Sequence, residues 1–241
     1  MECWAYYPGP NDVGRRPEPL GWHLVCVAMG VRAHKDFNRL VGKIAREYNL
    51  DANLVSDFIT LAGGLHDIGK SLARYQEKPA EGFSGHEVYS ALIINHVLHT
   101  IGIHYSTPIG RLLAYPVLLH HYAQRDSLKD IYNKVLKDIY NKASRDRKTR
   151  ERVWQDCIKD LDWALGRIRE FLTTDTGLRI IKTLLGSVRG GELSLFAVGG
   201  DFIGSLGSIV NTRDWLGVMA VAGLLNEVDG KIAGDARGGE E

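Results

Sequence analysis

The sequence predicts an all-α protein, on two observations. From Leu20 onward apolar residues recur three and four apart, as in "LGWHLVCVAMGVRAH", "FNRLVGKIAREYNL", "LVSDFITLAGGLHD" and "HEVYSALIINHVLH", the spacing that lays one apolar face along a helix. No convincing run alternates with the period of two that a half-buried strand requires.

The elements follow in order. Residues 1–19 carry Pro8, Pro10, Pro17 and Pro19 and read as an N-terminal arm, because proline denies both helix interiors and central strands. A helix is predicted from about Asn53 to Asp67, stopping at Gly69. Ser84-Gly85-His86-Glu87 has capping-box spacing and predicts a helix start near Gly85. Gly102 and Pro108 close that region, and Pro116 is the expected start of the helix carrying "VLLHHYAQ". The hexapeptide "KDIYNK" then occurs twice, and residues 126–172 read as a long charged helical hairpin. Between Lys129 and Arg152 nine Lys/Arg face four acids. The last third, "ELSLFAVGGDFIGSLGSIV" and "WLGVMAVAGLLNEVDGKIAG", predicts two closely packed helices ahead of a loose tail at 235–241.

With 241 residues, 44% hydrophobic and 24% charged, the chain can bury a substantial core, and residues 1–241 read as a single domain. A net charge of +1 does not mark a nucleic-acid binder by composition alone. The start "MECWAYYPGPNDVGRR" lacks the pattern of a secretory leader, and the longest uncharged apolar stretch, Trp215 to Leu225, is too short for a bilayer. The expectation is a cytoplasmic protein with no membrane partner. Cys3, Cys26 and Cys157 are odd in number and widely spaced, which predicts reduced structural thiols rather than a disulfide framework or a thiolate metal site.

Histidine is the unusual component, with nine in the chain. In "LAGGLHDIGKSLARYQ" His66 and Asp67 fall at the end of a helix, where free carbonyls and the macrodipole favour a cation. Adjacent helical residues point about 100° apart, so the two cannot share one direction. A carboxylate has two oxygens, however, and can bridge two ions while the histidine ligates one. Alone, the dipeptide is more simply a helix-end polar pair. Further donors are available in His120-His121, in His86 at the start of a helix, and in His23 on the apolar face of "LGWHLVCVA", where a single histidine is more often a satisfied core residue. Five imidazoles and a carboxylate from four helices suit a transition-type ion rather than a structural zinc. Histidines 34, 96, 99 and 104 read as structural or surface residues.

"HDIGKSLARYQ" resembles the HD-x-GK…[FY]Q signature of CRISPR-associated HD nucleases of type I interference, a branch of the HD phosphohydrolase superfamily. His23 in "WHLVCVA", His86 and Ser90 in "GHEVYSA", and His120 and His121 in "LLHHY" follow in that family's order. The resemblance is good from His23 to Tyr122 and weak elsewhere. No helicase motifs follow, which suits the stand-alone form of the nuclease. It implies an HD-domain helical bundle with the charged hairpin inserted. It also implies one metal held by His66, Asp67, a late aspartate and His23, with Asp67 bridging to a second metal held by His86, His120 and His121. The ions would be Mn, Mg, Ni or Co. Two positions compete for the late aspartate: Asp229, ending "GLLNEVD", keeps more of the family's pattern than Asp201 in "FAVGGD". Lys70 would contact a substrate phosphate or stand as a solvated lysine, and Gln76 would assist the substrate site, orient the HD loop or simply pack.

The implied function is metal-dependent cleavage of single-stranded DNA, including the strand displaced in an R-loop, with a separate helicase subunit and an RNA-guided surveillance complex as partners. The Lys129–Arg152 cluster would track DNA, dock a partner or form a solvated face. Two other readings stand beside this one: an HD phosphohydrolase acting on nucleotides or cyclic dinucleotides, and a non-catalytic HD scaffold.

Overall fold

The computed structural model describes residues 2–10, 12–121, 149–195 and 213–238. The arm forms a short ribbon in which β1 (Trp4–Tyr6) pairs antiparallel with β2 (Glu18–Pro19). The chain passes directly from Pro19 into α1 (Leu20–Ala33), then into α2 (Phe37–Tyr48) and α3 (Ala52–Leu65). A 3₁₀ turn at Ile68–Ser71 and the single turn α4 (Ala73–Gln76) lead to α5 (His86–Thr100) and α6 (Pro108–Leu119). Next come β3 (Thr149–Arg152), α7 (Gln155–Arg169), α8 (Asp175–Arg189), β4 (Glu192–Leu195) and α9 (Arg213–Arg237). The architecture is all-α, with two small two-stranded sheets as accessories among the described residues.

Helix α3 is the centre of the bundle. It starts where Asp51 accepts a hydrogen bond from the Leu54 N–H at 3.0 Å, and it is buried from Asp57 through Leu65. Helix α1 is likewise a core helix: Leu20, Leu24, Val27 and Ala28 are inaccessible to solvent. Each such leucine contributes about 2 kcal/mol through burial of its side chain. Around this pair pack α6, α7 and α9, with α5 against α6.

Buried polar anchors fix the outer helices. Asp57 of α3 accepts from the Thr174 N–H at 2.8 Å and its hydroxyl at 2.6 Å, pinning the α7–α8 connection. Asp160 of α7 accepts from the Gly21 N–H at 2.6 Å at the start of α1. At Gly30 an added Cβ would lie 2.6 Å from Val228 Cγ1, so the glycine lets α9 lie close against α1 one residue from Asp229.

Several expectations are corrected. Residues 122–148, which take in the first part of the hairpin expected at 126–172, lie outside the described part. Thr149–Arg152 is a strand paired with Glu192–Leu195, so the expected helical hairpin does not continue through it, and only Gln155–Arg169 is helical as expected. The hydrogen-bonding partner of each strand lies far along the chain, which local periodicity does not report. Residues 196–212 are outside the described part. Ser84 forms no cap: α5 begins after Gly85, whose φ of 83° is open to glycine. Pro116 lies inside α6, which instead starts at Pro108 with Thr107 Oγ1 accepting from the Gly110 N–H at 3.2 Å. The tail is helical through Arg237.

Cys3 and Cys157 form a disulfide with a Cα–Cα distance of 4.8 Å, while Cys26 is free. This overturns the expectation of three reduced thiols. The bond joins the arm to α7 across 154 positions, a proximity that spacing rules cannot see. Among the described residues no helix is long and apolar enough to cross a membrane.

Candidate metal centre

His66 follows the last residue of α3, and Asp67 leads into the Ile68–Ser71 turn. The turn is tight because residue 69 is glycine: a Cβ there would lie 2.5 Å from the His86 carbonyl oxygen and 2.9 Å from the Ser90 nitrogen. Gly69 N–H donates to Ser90 Oγ at 2.9 Å, which docks the turn on α5. Gln76 clamps it from the other side, donating from Nε2 to the Lys70 and Trp4 carbonyls at 2.8 Å each while its Oε1 accepts from the Trp4 N–H. Both ends of the amide are therefore engaged with the main chain.

Four histidines are turned the same way by their Nδ1 atoms. His66 Nδ1 lies 2.8 Å from the Gly63 carbonyl, His86 Nδ1 2.6 Å from that of Phe83, and His120 Nδ1 2.6 Å from that of Val117. His23 Nδ1 lies 2.6 Å from Glu18 Oε1. A carbonyl only accepts, so Nδ1 is the donor in the first three cases, and each presents a lone pair on Nε2 to the interior.

These Nε2 atoms converge in two groups, His23, His66 and Asp229, and Asp67, His86, His120 and His121. In the first, His23 Nε2 is 3.2 Å from His66 Nε2 and 3.1 Å from Asp229 Oδ1, and His66 Nε2 is 3.4 Å from the same oxygen. In the second, His86 Nε2 is 3.1 Å from His121 Nε2. Asp67 joins the two: Oδ2 lies 3.4 Å from His23 Nε2 and 3.5 Å from His66 Nε2, whereas Oδ1 lies 2.7 Å from His86 Nε2 and 3.9 Å from His120 Nε2.

The donor set fits divalent ions. Donors held at about 2.1 Å from one ion stand roughly 3.0–3.4 Å apart in octahedral or tetrahedral arrangements. The observed separations cluster there. Asp67 Oδ1 and His120 Nε2 are buried without a hydrogen-bond partner, and the short approach of His86 Nε2 to Asp67 Oδ1 lacks hydrogen-bond geometry. Such orphaned atoms in a polar centre are accounted for by a cation.

The electrostatics agree at Asp67, Asp229, His120 and His121, whereas at His23 burial is outweighed by Asp229, Asp67 and Glu18, which hold the ring above the ordinary histidine range. Burial alone would raise the Asp67 carboxyl, but His66, Lys70 and His86 outweigh it and hold the group well below the usual carboxylate range. Asp229 is likewise driven low, with His23 and His66 overcoming its burial. Burial and the neighbouring His121 and His66 rings keep His120 well below an ordinary histidine, and burial with His86 takes His121 down to about 4. These rings are neutral, as ligands must be.

Lys70 Nζ lies 2.6 Å from Asp67 Oδ2 and 5.5 Å from the centroid of the Phe83 ring. It is buried beside the centre and lines two cavities. One, of about 500 Å³, is bordered by Tyr6, Tyr7, Phe83 and His86; the other, of about 380 Å³, by Arg15 and Asp229. Both reach Lys70, His121 and Arg237.

The structure thus brings together His23, His66, Asp67, His86, His120, His121 and Asp229 with Lys70 beside them. Asp201, the competing late aspartate, lies outside the described residues. Glu18, buried beneath His23, escaped the sequence reading: it sits between two prolines and has no motif spacing to the histidine.

Residues 39–150 match the model of the HD domain family, a little under half of the chain. The match supports an HD domain at those residues, and the helical architecture of the described residues is consistent with an all-α HD-domain bundle. Together with the buried His/Asp groups it points to a metal-dependent phosphohydrolase. His23 and Asp229 fall outside the matched span, so their place in the centre rests on the fold alone. No curated protein matches the sequence.

Proposed function

We propose that the chain is a metal-dependent nuclease that hydrolyses phosphodiester bonds of single-stranded DNA, acting as the stand-alone HD nuclease of a type I CRISPR interference system. The observation that carries this reading is a donor cluster flanked by two cavities, one lined by His86 and His121 and the other by His121 and Asp229, rather than a single pocket. A polymer can enter along one cavity and leave along the other, while a mononucleotide needs only one.

In this reading His23, His66, Asp229 and Asp67 would hold one divalent ion, and Asp67, His86, His120 and His121 a second. The chemistry supplied by bound ions would be an activated water near neutral pH and positive charge for the oxygens at phosphorus. The protein's own groups supply the rest. Lys70 offers a point charge to a non-bridging oxygen of the scissile phosphate. Tyr7 and Phe83 give aromatic faces on which bases stack, and Arg15 and Arg237 offer charge to the flanking backbone phosphates. Gln76 acts indirectly, by holding the Lys70 turn against the arm. The basic residues from Lys129 to Arg152, of which 129–148 lie outside the described residues, would serve DNA, dock a helicase subunit and the RNA-guided complex, or form a solvated face.

The test is incubation of purified protein with single-stranded DNA, nucleoside triphosphates and cyclic dinucleotides, with and without Mn²⁺, Mg²⁺, Ni²⁺ or Co²⁺, beside Asp67→Ala. Metal-dependent DNA cleavage abolished by the substitution is the expected result. Cleavage that persists in Asp67→Ala overturns the mechanism, and hydrolysis of nucleotides alone replaces the substrate.

A further inference from the structure

Three of the interior-facing histidines rest their Nδ1 on a main-chain carbonyl three residues earlier. His23 differs: its acceptor is the carboxylate of Glu18 at 2.6 Å, and both side chains are fully buried. The second oxygen of Glu18 is held in turn by Arg237 of α9, with Nε and Nη2 each 3.0 Å away. The Arg237 guanidinium lies 4.4 Å from the centroid of the Tyr6 ring on the arm. A chain of charged contacts thus runs from the open cavities through Arg237 and Glu18 to one ligand of the centre.

We propose that Glu18 is a positioning residue that sets the tautomer and orientation of His23 for metal binding, and that Arg237 fixes Glu18 for this task. The proposal rests on reading the centre as a metal site, but not on the substrate. A carboxylate acceptor holds the proton on Nδ1, leaves Nε2 as the ligand atom and makes the imidazole a stronger donor than a carbonyl acceptor does. Were Glu18 only a tie between the arm and α9, one oxygen on Arg237 would suffice; the other is directed at the ring that meets His66 and Asp229. The three segments that build this relay, β2, α1 and α9, also lie outside the span that matches the HD model.

The experiment measures Mn²⁺ binding to the full chain by equilibrium dialysis, in the wild type, Glu18→Gln, Arg237→Gln and His23→Ala. The wild type is expected to bind two ions. Glu18→Gln should weaken one of them by about 10–100-fold, the same ion that His23→Ala removes, and leave the other unchanged. Arg237→Gln, which keeps the carboxylate, should weaken that same ion by a smaller factor. In the Zn²⁺-loaded protein, long-range proton–nitrogen spectra of the histidine rings should show the His23 Nδ1 signal moved in Glu18→Gln, with those of His66 and His120 in place. Wild-type affinity for both ions in Glu18→Gln overturns the proposal, and so does equal weakening of both, since a merely structural role would act on both. If Glu18→Gln does not fold, Arg237→Gln decides by the same criteria. A wild type that binds no ion defeats the metal-centre reading itself, a distinct outcome from the failure of Glu18.

Discussion

Nε2 of His23 and Oδ1 of Asp229 meet at 3.1 Å, so the first long helix and the last share one corner of the centre. Close packing of Val228 against Gly30 sets that approach. Asp229→Ala is therefore expected to remove one of two bound ions and to lower DNA cleavage by 100-fold or more, on the order of losing a key transition-state contact. Metal analysis of the dialysed variant checks the first part, and retention of both ions would return the role to Asp201.

Lys70→Ala tests a different contribution. The ammonium lies beside Asp67 rather than among the Nε2 atoms, so both ions should remain bound while turnover falls by roughly 10²–10³, as when one stabilising donor is removed. Loss of metal in this variant would make Lys70 a structural counterion instead.

Acidification should empty the two halves in order. Burial opposes protonation of His23, but the carboxylates of Asp229, Asp67 and Glu18 outweigh it and hold the ring well above the ordinary 6.5, whereas His121 is held down to about 4. A ligating ring must be neutral, so protons compete at His23 already above pH 6.5 and at His121 only near 4. Titrating Mn²⁺ affinity from about pH 8 to about pH 5 should show the ion of the His23 group released first, across the histidine range. Simultaneous release contradicts this. In the metal-free protein the raised His23 value favours folding below 6.5, a contribution lost as pH rises through the folded value. The lowered Asp67 and Asp229 values favour folding above 3.8, a contribution lost as pH falls through theirs.

The Cys3–Cys157 bond closes a loop of most of the chain. Cys157→Ala is expected to cost about 2–5 kcal/mol of stability, read as a lower urea midpoint. Thiol titration of the unfolded, unreduced protein should find Cys26 alone. Three titratable thiols would show that the bond does not form.

Gly69→Ala should destabilise the protein by about 1–3 kcal/mol and weaken metal binding together, because the new methyl meets the main chain of α5, which cannot swing aside as a flexible side chain does. Paired thermal melts with and without Mn²⁺ separate the two effects.

Much of the centre was legible because its residues come as local patterns. His66, Asp67 and Lys70 share one turn, His120-His121 is an adjacent pair, and His86 begins α5 at the start expected near Gly85, although Ser84 does not cap it and the end of α6 at Leu119 carried no such signal. The helices themselves follow from apolar spacing, since a helix that buries a face must repeat near 3.6 residues. The pairing of Thr149–Arg152 with Glu192–Leu195, the disulfide and the burial of Glu18 have no such trace. Each joins segments whose separation along the chain carries no period.

The sequence by itself determined the helical class, the HD turn and the histidines available to it, for these depend on side-chain type and short-range spacing. Only the tertiary structure decided that Asp229 faces His23, that Asp67 divides its two oxygens between two groups, and that Glu18 and Arg237 stand behind one ligand. The physical reason is that a metal site is defined by donor atoms a few ångströms apart, and that distance is set by how α1, α3, α5, α6 and α9 pack, which no single segment encodes.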